Sequence, residues 1–269
     1  DVDRKSLIAY MVGRELGETY PAGMMAGEEN ILEVSDVINR RLSRVSFQLK
    51  KGEILGFGGL VGAGRTEMAR ALFGADKIRS GKFILKGKEY KPENPAKALK
   101  NGIGLIPEDR KNQGLVLGMS VERNTTYSVL NRMLSGRLYI SKKLENACSS
   151  RFIKELRIKT PSGKQLVKNL SGGNQQKVVL AKMMAADCDI LIFDEPTRGI
   201  DVGAKQEIYT LMREITAKGK SIIMISSEMP ELIGMSDRII VMSEGKVSGE
   251  LSREEFSQET ILELASNEN

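Results

Sequence analysis

The chain has 269 residues, 41% of them hydrophobic and 28% charged, with 41 Lys and Arg against 35 Asp and Glu and a formal charge of +6. That length buries a full core as one large domain or two small ones, and the composition excludes disordered and collagen-like classes. No histidine is present, which removes His-based metal centres, Ser-His-Asp triads and histidine general bases. Lys and Arg are scattered among acids, with no basic run longer than RKN or SKK, and read as a solvated surface rather than a nucleic-acid interface. Cys148 and Cys188 lack any motif spacing and fit buried thiols in a reducing compartment. No apolar run approaches the roughly 20 residues that span a bilayer. The opening DVDRKSLIAY has neither an initiator Met nor a signal-peptide core, so a cytosolic piece of a longer protein is expected.

In chain order, KSLIAYMV (5–12) patterns as a short amphipathic helix, and GRELGETYPAGMMAGEEN (13–30) carries the Gly, Pro and acids of a linker. From Ile31 the runs ILEVSDVI, RLSRVSFQLKKGE and KFILKGKEY alternate apolar and polar residues, as antiparallel strands with one wet face do. EILGFGG, IGLIP, DILIFDE and SIIMISS are short continuous apolar runs, which predict strands buried on both faces of a largely parallel sheet. Helices are predicted at TEMARALFG, at NPAKALKNG with Asn94 as cap and Pro95 in the first turn, and at SKKLENACSSRFIKELRI. Two more follow at QQKVVLAKMMAA and at AKQEIYTLMREITAKG, the latter closing at Gly219. Glu108 to Leu170 holds helices but no buried strand and reads as a helical insertion between two sheet strands. RIIVMSEGKVSGEL is a hairpin turning at Glu244-Gly245, and TILELAS is a final helix. The likeness of TILELAS to KSLIAYMV marks residues 1–12 as the tail of a preceding sister domain.

Three stretches carry chemistry. GLVGAGRT (59–66) follows a buried strand and opens a helix, the context in which glycines let backbone N–H groups wrap a phosphate. The pattern usually has Lys where Arg65 stands; Arg65 keeps the positive charge, and Thr66 offers a hydroxyl for Mg²⁺. DILIFDEP ends an apolar strand in two adjacent carboxylates, of which Asp194 suits a Mg²⁺ site and Glu195 the polarisation of an attacking water. LSGGNQQK begins at Leu170, and Ser171, Gly172 and Gly173 lead into a helix as a second anion-binding N-terminus.

In this order the stretches resemble an ATP-binding cassette domain, over about residues 31–250. More narrowly, GEILGFGGLVGAGRTE, PEDRKNQGLVLGMSVERN, LSGGNQQK, DEPTRGIDVGAK and ISSEMPE resemble the second of the two cassettes in bacterial monosaccharide importers of the ribose and galactose type. The resemblance implies an α/β fold with a P-loop NTPase (RecA-like) core, a mostly parallel sheet, an antiparallel β subdomain and an inserted α-helical subdomain. The implied domains are 1–30 (tail of a preceding cassette plus linker), 31–255 (nucleotide-binding domain, insertion about 109–172) and 256–269 (C-terminal helix and tail).

It also implies ATP and Mg²⁺ as ligands. Gly59, Leu60, Val61, Gly62, Ala63, Gly64, Arg65, Thr66 and Glu67 would hold one ATP, while Ser171, Gly172, Gly173, Gln175 and Asp201 would face the ATP of a sister N-terminal cassette on the same full-length chain. Thr66, Asp194 and Glu108 would hold the metal; Glu195, Ser227 and Glu108 would be catalytic. Closing and reopening such a pair drives a membrane permease fed by an extracytoplasmic sugar-binding protein, with no nucleic acid, at the cytoplasmic face of the bacterial membrane.

The chain departs from the family at Arg65 for the usual Lys, Glu108 for the usual Gln and Ser227 for the usual His, and SDVINRR lacks the aromatic residue that commonly stacks on adenine. A hydroxyl does not replace an imidazole in holding the γ-phosphate and the water, so the expected site binds Mg-ATP but turns it over slowly. Pro107, Asp109, Arg110 and Lys111 form a charged loop suited to permease docking. Two other readings stay open: a cassette protein acting on nucleic acid or the ribosome, and a non-catalytic regulatory domain.

Overall fold

The computed structural model describes residues 20, 21, 23, 27–135 and 139–266; the helix expected at 5–12 and most of the linker lie outside the described residues. The chain runs β1 (Asn30–Ile38), β2 (Val45–Lys50), β3 (Ile54–Gly59) and helix α1 (Arg65–Leu72), then β4 (Ser80–Leu85), β5 (Lys88–Tyr90), α2 (Pro95–Lys100) and β6 (Ile103–Ile106). As the alternating runs predict, β1, β2, β4 and β5 form an antiparallel sheet in the order β2-β1-β4-β5. Asn94 caps α2 by accepting from Lys97 N at 2.9 Å, with Pro95 in the first turn.

After β6 the chain leaves the sheet through α3 (Val121–Thr126), a tight helical turn to Met133, the short strands β7 (Leu134–Ser135) and β8 (Tyr139–Ile140), α4 (Lys142–Glu155) and α5 (Gly172–Ala185). It returns as β9 (Ile190–Asp194), followed by α6 (Val202–Ala217), β10 (Ser221–Ile225), α7 (Met229–Met235), β11 (Arg238–Ser243), β12 (Lys246–Leu251) and α8 (Gln258–Ser266). The second sheet is ordered β12-β11-β3-β10-β9-β6 and is parallel except for β12. No described helix is long and apolar enough to cross a membrane.

The continuous apolar runs are buried on both faces because successive side chains feed two separate cores. Leu191, Phe193, Ile222, Met224, Ile239 and Val241 face the core under α5 to α8. Their neighbours Ile190, Ile192, Ile223, Ile225, Ile240 and Met242 face the core shared with α1 and the antiparallel sheet. There Phe47 of β2 meets Phe57 of β3 edge to face, centroids 5.0 Å apart, which fixes one sheet on the other. This stacking leaves the C-terminal ends of β3, β9 and β10 side by side, where an open parallel sheet gathers its ligands.

Three features differ from the sequence reading. Residues Val121–Thr126 form α3, capped by Ser120, although Thr125 and Thr126 are poor helix formers; their hydroxyls bond back to the Val121 and Glu122 carbonyls. Helix α5 starts at Gly172 rather than Gln175, because Gly173 is the size that lets α5 close on Ala204 of α6: a Cβ there would lie 2.6 Å from the Ala204 Cβ. The Glu244-Gly245 hairpin is present, with φ of 47° and 78°, but its first strand also extends the central sheet by pairing with β3 in parallel.

Candidate nucleotide-binding site

The phosphate-loop stretch lies between β3 and α1, at the C-terminal edge of the sheet. At Gly59 (φ 142°) the chain passes so close to β11 that a Cβ would collide with the Met242 carbonyl. Ala63 N donates to Leu60 O at 3.0 Å, closing the turn, and the hairpin tip supports it as Gly245 N donates to Ala63 O at 3.0 Å. Val61 stands at the apex, 96% exposed, with Leu60 half exposed and Gly62 in open space. Gly64 caps α1 in the left-handed region (φ 101°), which aims the first N–H groups of the helix out of the loop.

The two residues that follow turn inward. Thr66 Oγ1 donates to Asp194 Oδ1 at 3.2 Å, joining α1 to the end of β9. Arg65 is 8% exposed, and its Nη1 donates to the Ser226 carbonyl at 2.8 Å, just beyond β10. Burial lowers the Arg65 pKa, while Glu195, Asp194 and Glu67 act in the opposite direction. The charge expected to point at a phosphate is thus anchored on the loop after β10, between carboxylates. Glu67, on the outer side, pairs with Arg41 at 3.3 Å.

Asp194 is 3% exposed, and burial pushes its carboxyl up to about 6; the Thr66 hydroxyl and Arg65 hold it down, and Glu195 pushes it further up. Glu195 sits at φ 50° with its N–H on the Ile225 carbonyl at 2.9 Å, a strained turn that lifts its side chain off the sheet edge. Ser227 Oγ donates to Glu195 Oε2 at 2.9 Å. The structure thus brings Thr66 onto Asp194 and Ser227 onto Glu195. A hydroxyl and a buried carboxylate are the hard oxygen donors that Mg²⁺ takes alongside water and phosphate, so the residues present fit that ion.

Glu108 is placed differently. It is half-buried in an ion pair with Arg198, and among the described residues no group of three or more carboxylates gathers as a metal cage. The structure does not cluster Glu108 with Asp194 and Glu195, because the Arg198 guanidinium holds it against the loop after the carboxylates.

Around LSGGNQQK, Ser171 occupies the N-cap of α5 and accepts from its neighbour Asn174 Nδ2 at 2.9 Å. Ser171 is exposed and Gly172 half exposed, whereas Gly173 and Gln175 are buried. Gln175 Nε2 donates to Val167 O at 3.2 Å, which ties α5 to the turn before it. Asp201 caps α6, accepting from Ala204 N at 3.0 Å. The bonds of the phosphate loop thus run to β9, β10 and the β11–β12 tip, and those of the signature turn run to the insertion: two half-sites on different parts of one chain.

Two groups escaped the sequence reading. Glu231 of α7 is 1% exposed and accepts from Thr197 Oγ1 at 2.7 Å and from Ser226 Oγ, joining the loop after Glu195 to the loop that carries Ser227. Burial raises its pKa against these hydrogen bonds. Arg110, read as a docking residue, points instead at the backbone of Arg198 and Gly199. The acid four residues after the serine pair in SSEMPE was the available signal for Glu231; nothing in the sequence marks the direction of Arg110.

Residues 42–198 match the family model described as ABC transporter. The chain is 47% identical over 266 residues to a "Ribose import ATP-binding protein RbsA" of Clostridium tetani, covering 98% of this chain and 53% of that protein. It is 49% identical over 267 residues to a "Putative ribose/galactose/methyl galactoside import ATP-binding protein 2" of Burkholderia cenocepacia, again over 98% of this chain and 52% of the other. The chain therefore spans about half the length of these relatives. Among solved structures it resembles a nucleotide-free ATP-binding cassette from an ABC transporter (TM-score 0.77, 20% identity, 89% of this chain and 100% of that one). It also resembles an ATP-binding cassette of an ABC transporter in its ADP conformation (TM-score 0.76, 21% identity, the same coverage).

Proposed function

The chain belongs to the ABC transporter family, and from that premise we propose that it is one ATP-binding half of the motor of a monosaccharide importer, carrying a ribose- or galactose-like sugar. The names and identity of the two relatives support the substrate class, and their doubled length supports a sister cassette on the same full-length chain. The motor works at the cytoplasmic face of the bacterial cell membrane against permease subunits, with sugar delivered by an extracytoplasmic binding protein.

In this reading the Gly59–Thr66 backbone wraps the phosphates of one ATP at the N-terminus of α1. Thr66 and Asp194 would hold Mg²⁺, which would supply charge neutralisation at the phosphates. Glu195 orients and deprotonates the attacking water, and Ser227 fixes the Glu195 carboxylate. Ser171 and Gly172, at the exposed start of α5, complete the ATP site of the sister cassette.

One observation carries the asymmetry. Arg65 is committed to the Ser226 carbonyl and Ser227 offers one hydroxyl to Glu195, so the local pocket binds nucleotide with few groups left to stabilise a transition state, while the signature turn is complete. Sugar-dependent ATP hydrolysis in membranes containing the permease tests this. Ser171→Arg abolishes transport and Glu195→Gln only slows it; equal loss in both refutes the asymmetry.

A further inference from the structure

The segment PEDRKNQG forms a strap along the start of α5. Asp109 caps its turn, accepting from Asn112 N at 3.1 Å and Asn112 Nδ2 at 2.7 Å. Gly114 lies against Val179 of α5, and Lys182 of the same helix donates to the Gly114 carbonyl. The strap is thereby fixed to α5 at one end and presents Arg110 at the other. Arg110 Nη1 donates to the Arg198 carbonyl at 2.8 Å and Nη2 to the Gly199 carbonyl at 3.1 Å. The same Nη2 packs on Gly172 so tightly that a Cβ there would lie 2.7 Å away. Glu108, two residues earlier, holds the Arg198 side chain.

The strap therefore grips one loop twice, once by side chain and once by backbone. That loop starts beside Glu195, which serves the ATP bound by this chain, and ends at Asp201, the cap of α6. Its other flank is Gly172, which faces the sister's ATP in the proposed pair. The Gly199 carbonyl taken by Arg110 lies against Gly172 at the start of α5, and Arg110 Nε is buried without a partner among the described residues. A planar fork that reaches two adjacent carbonyls at once is a task for arginine and not for lysine.

We infer that Arg110 is the positioning residue that sets the signature turn against the loop following Glu195, and so couples hydrolysis chemistry in one ATP site to the geometry of the other. The inference rests on the cassette-pair reading above. It assigns the strap an inward role in the ATPase cycle in place of permease docking by Arg110; Lys111, exposed beside it, stays available to a partner.

The test uses the full-length two-cassette chain in permease-containing membranes, with Arg110→Lys, Arg110→Ala and Ser171→Arg as variants. Arg110→Lys lowers ATP turnover about tenfold or more, the size expected when a pair of charge-assisted hydrogen bonds is lost, with KM for ATP and the melting temperature unchanged. Added guanidinium ion restores part of the turnover to Arg110→Ala, and methylammonium does not. Wild-type turnover in Arg110→Lys, or lost turnover that tracks a lowered melting temperature without rescue, overturns the inference. Should Ser171→Arg keep full turnover, the pair reading itself falls; should it abolish turnover while Arg110→Lys is unaffected, only the role of Arg110 falls.

Discussion

Replacing Asp194 by Asn is expected to stabilise the protein in metal-free buffer and to do so only above mild acid. Asp194 is 3% exposed at the end of β9, accepts one hydrogen bond from Thr66, and shares its surroundings with Glu195, Arg65 and Glu67. Burial raises its carboxyl from 3.8 to about 6, and a rise of about 2 units at 1.36 kcal/mol each is worth about 3 kcal/mol. The folded protein holds this proton more tightly than the unfolded chain does. The stabilisation is thus complete below the unfolded value and is lost as pH rises through about 6, above which the buried charge is a standing cost. Asn has the same shape and still accepts from Thr66, but it does not ionise. In urea unfolding with a chelator present, the variant should exceed the wild type by up to about 3 kcal/mol at about pH 8, with the difference shrinking toward zero at about pH 4. Equal midpoints at the higher pH, or a less stable variant, would refute the assignment of the shift to burial of this carboxylate.

Asp201→Ala removes the cap of α6 and should cost about 1 kcal/mol in denaturant unfolding, while Asp201→Asn stays close to wild type; equal losses would show that the charge, not the cap, matters. Asn124 is 1% exposed, accepts from Val116 N at 2.8 Å and donates to the Val116 carbonyl at 3.0 Å and the Ser120 carbonyl at 3.1 Å. Asn124→Ala leaves the Val116 N–H without its acceptor, while the Val116 and Ser120 carbonyls keep the Met119 and Asn124 backbone N–H groups, and should cost about 2 kcal/mol in the same assay; a loss below about 0.5 kcal/mol would mean that water replaces the side chain.

The sheet was legible because its signal is local. The stretches ILIF (190–193) and IIMI (222–225) contain no polar residue that would mark an outer face, and two-sided burial is the arrangement that needs none. The β11 strand hid its parallel pairing because RIIVMS and KVSGEL, joined by Glu244-Gly245, already satisfy a hairpin on one edge; only the three-dimensional path shows β3 on the other edge. Helix α3 was invisible because its threonines disfavour a helix and its stability comes from the Ser120 cap, Asn124 and packing against α4 and α5. Within the site, spacing pointed to Thr66, Asp194 and Glu195, since each sits at a fixed offset from the end of a strand or the start of a helix, whereas Ser227 came from the family resemblance alone. Spacing does not encode side-chain direction, which is why Arg65 and Arg110 face inward and Glu108 faces Arg198 against expectation.

The claim beneath all of this is that GLVGAGRT is a nucleotide-binding loop held in place by the Arg65 anchor on Ser226, at the position where the family usually carries lysine. Calorimetric titration of Mg-ATP into the protein, beside its Arg65→Ala variant, measures it directly. The account predicts binding in the range of about 1 to 100 μM, lost in the variant because both the cation and the anchor on Ser226 are gone. Absence of binding to the wild type, or undiminished binding to the variant, would contradict it.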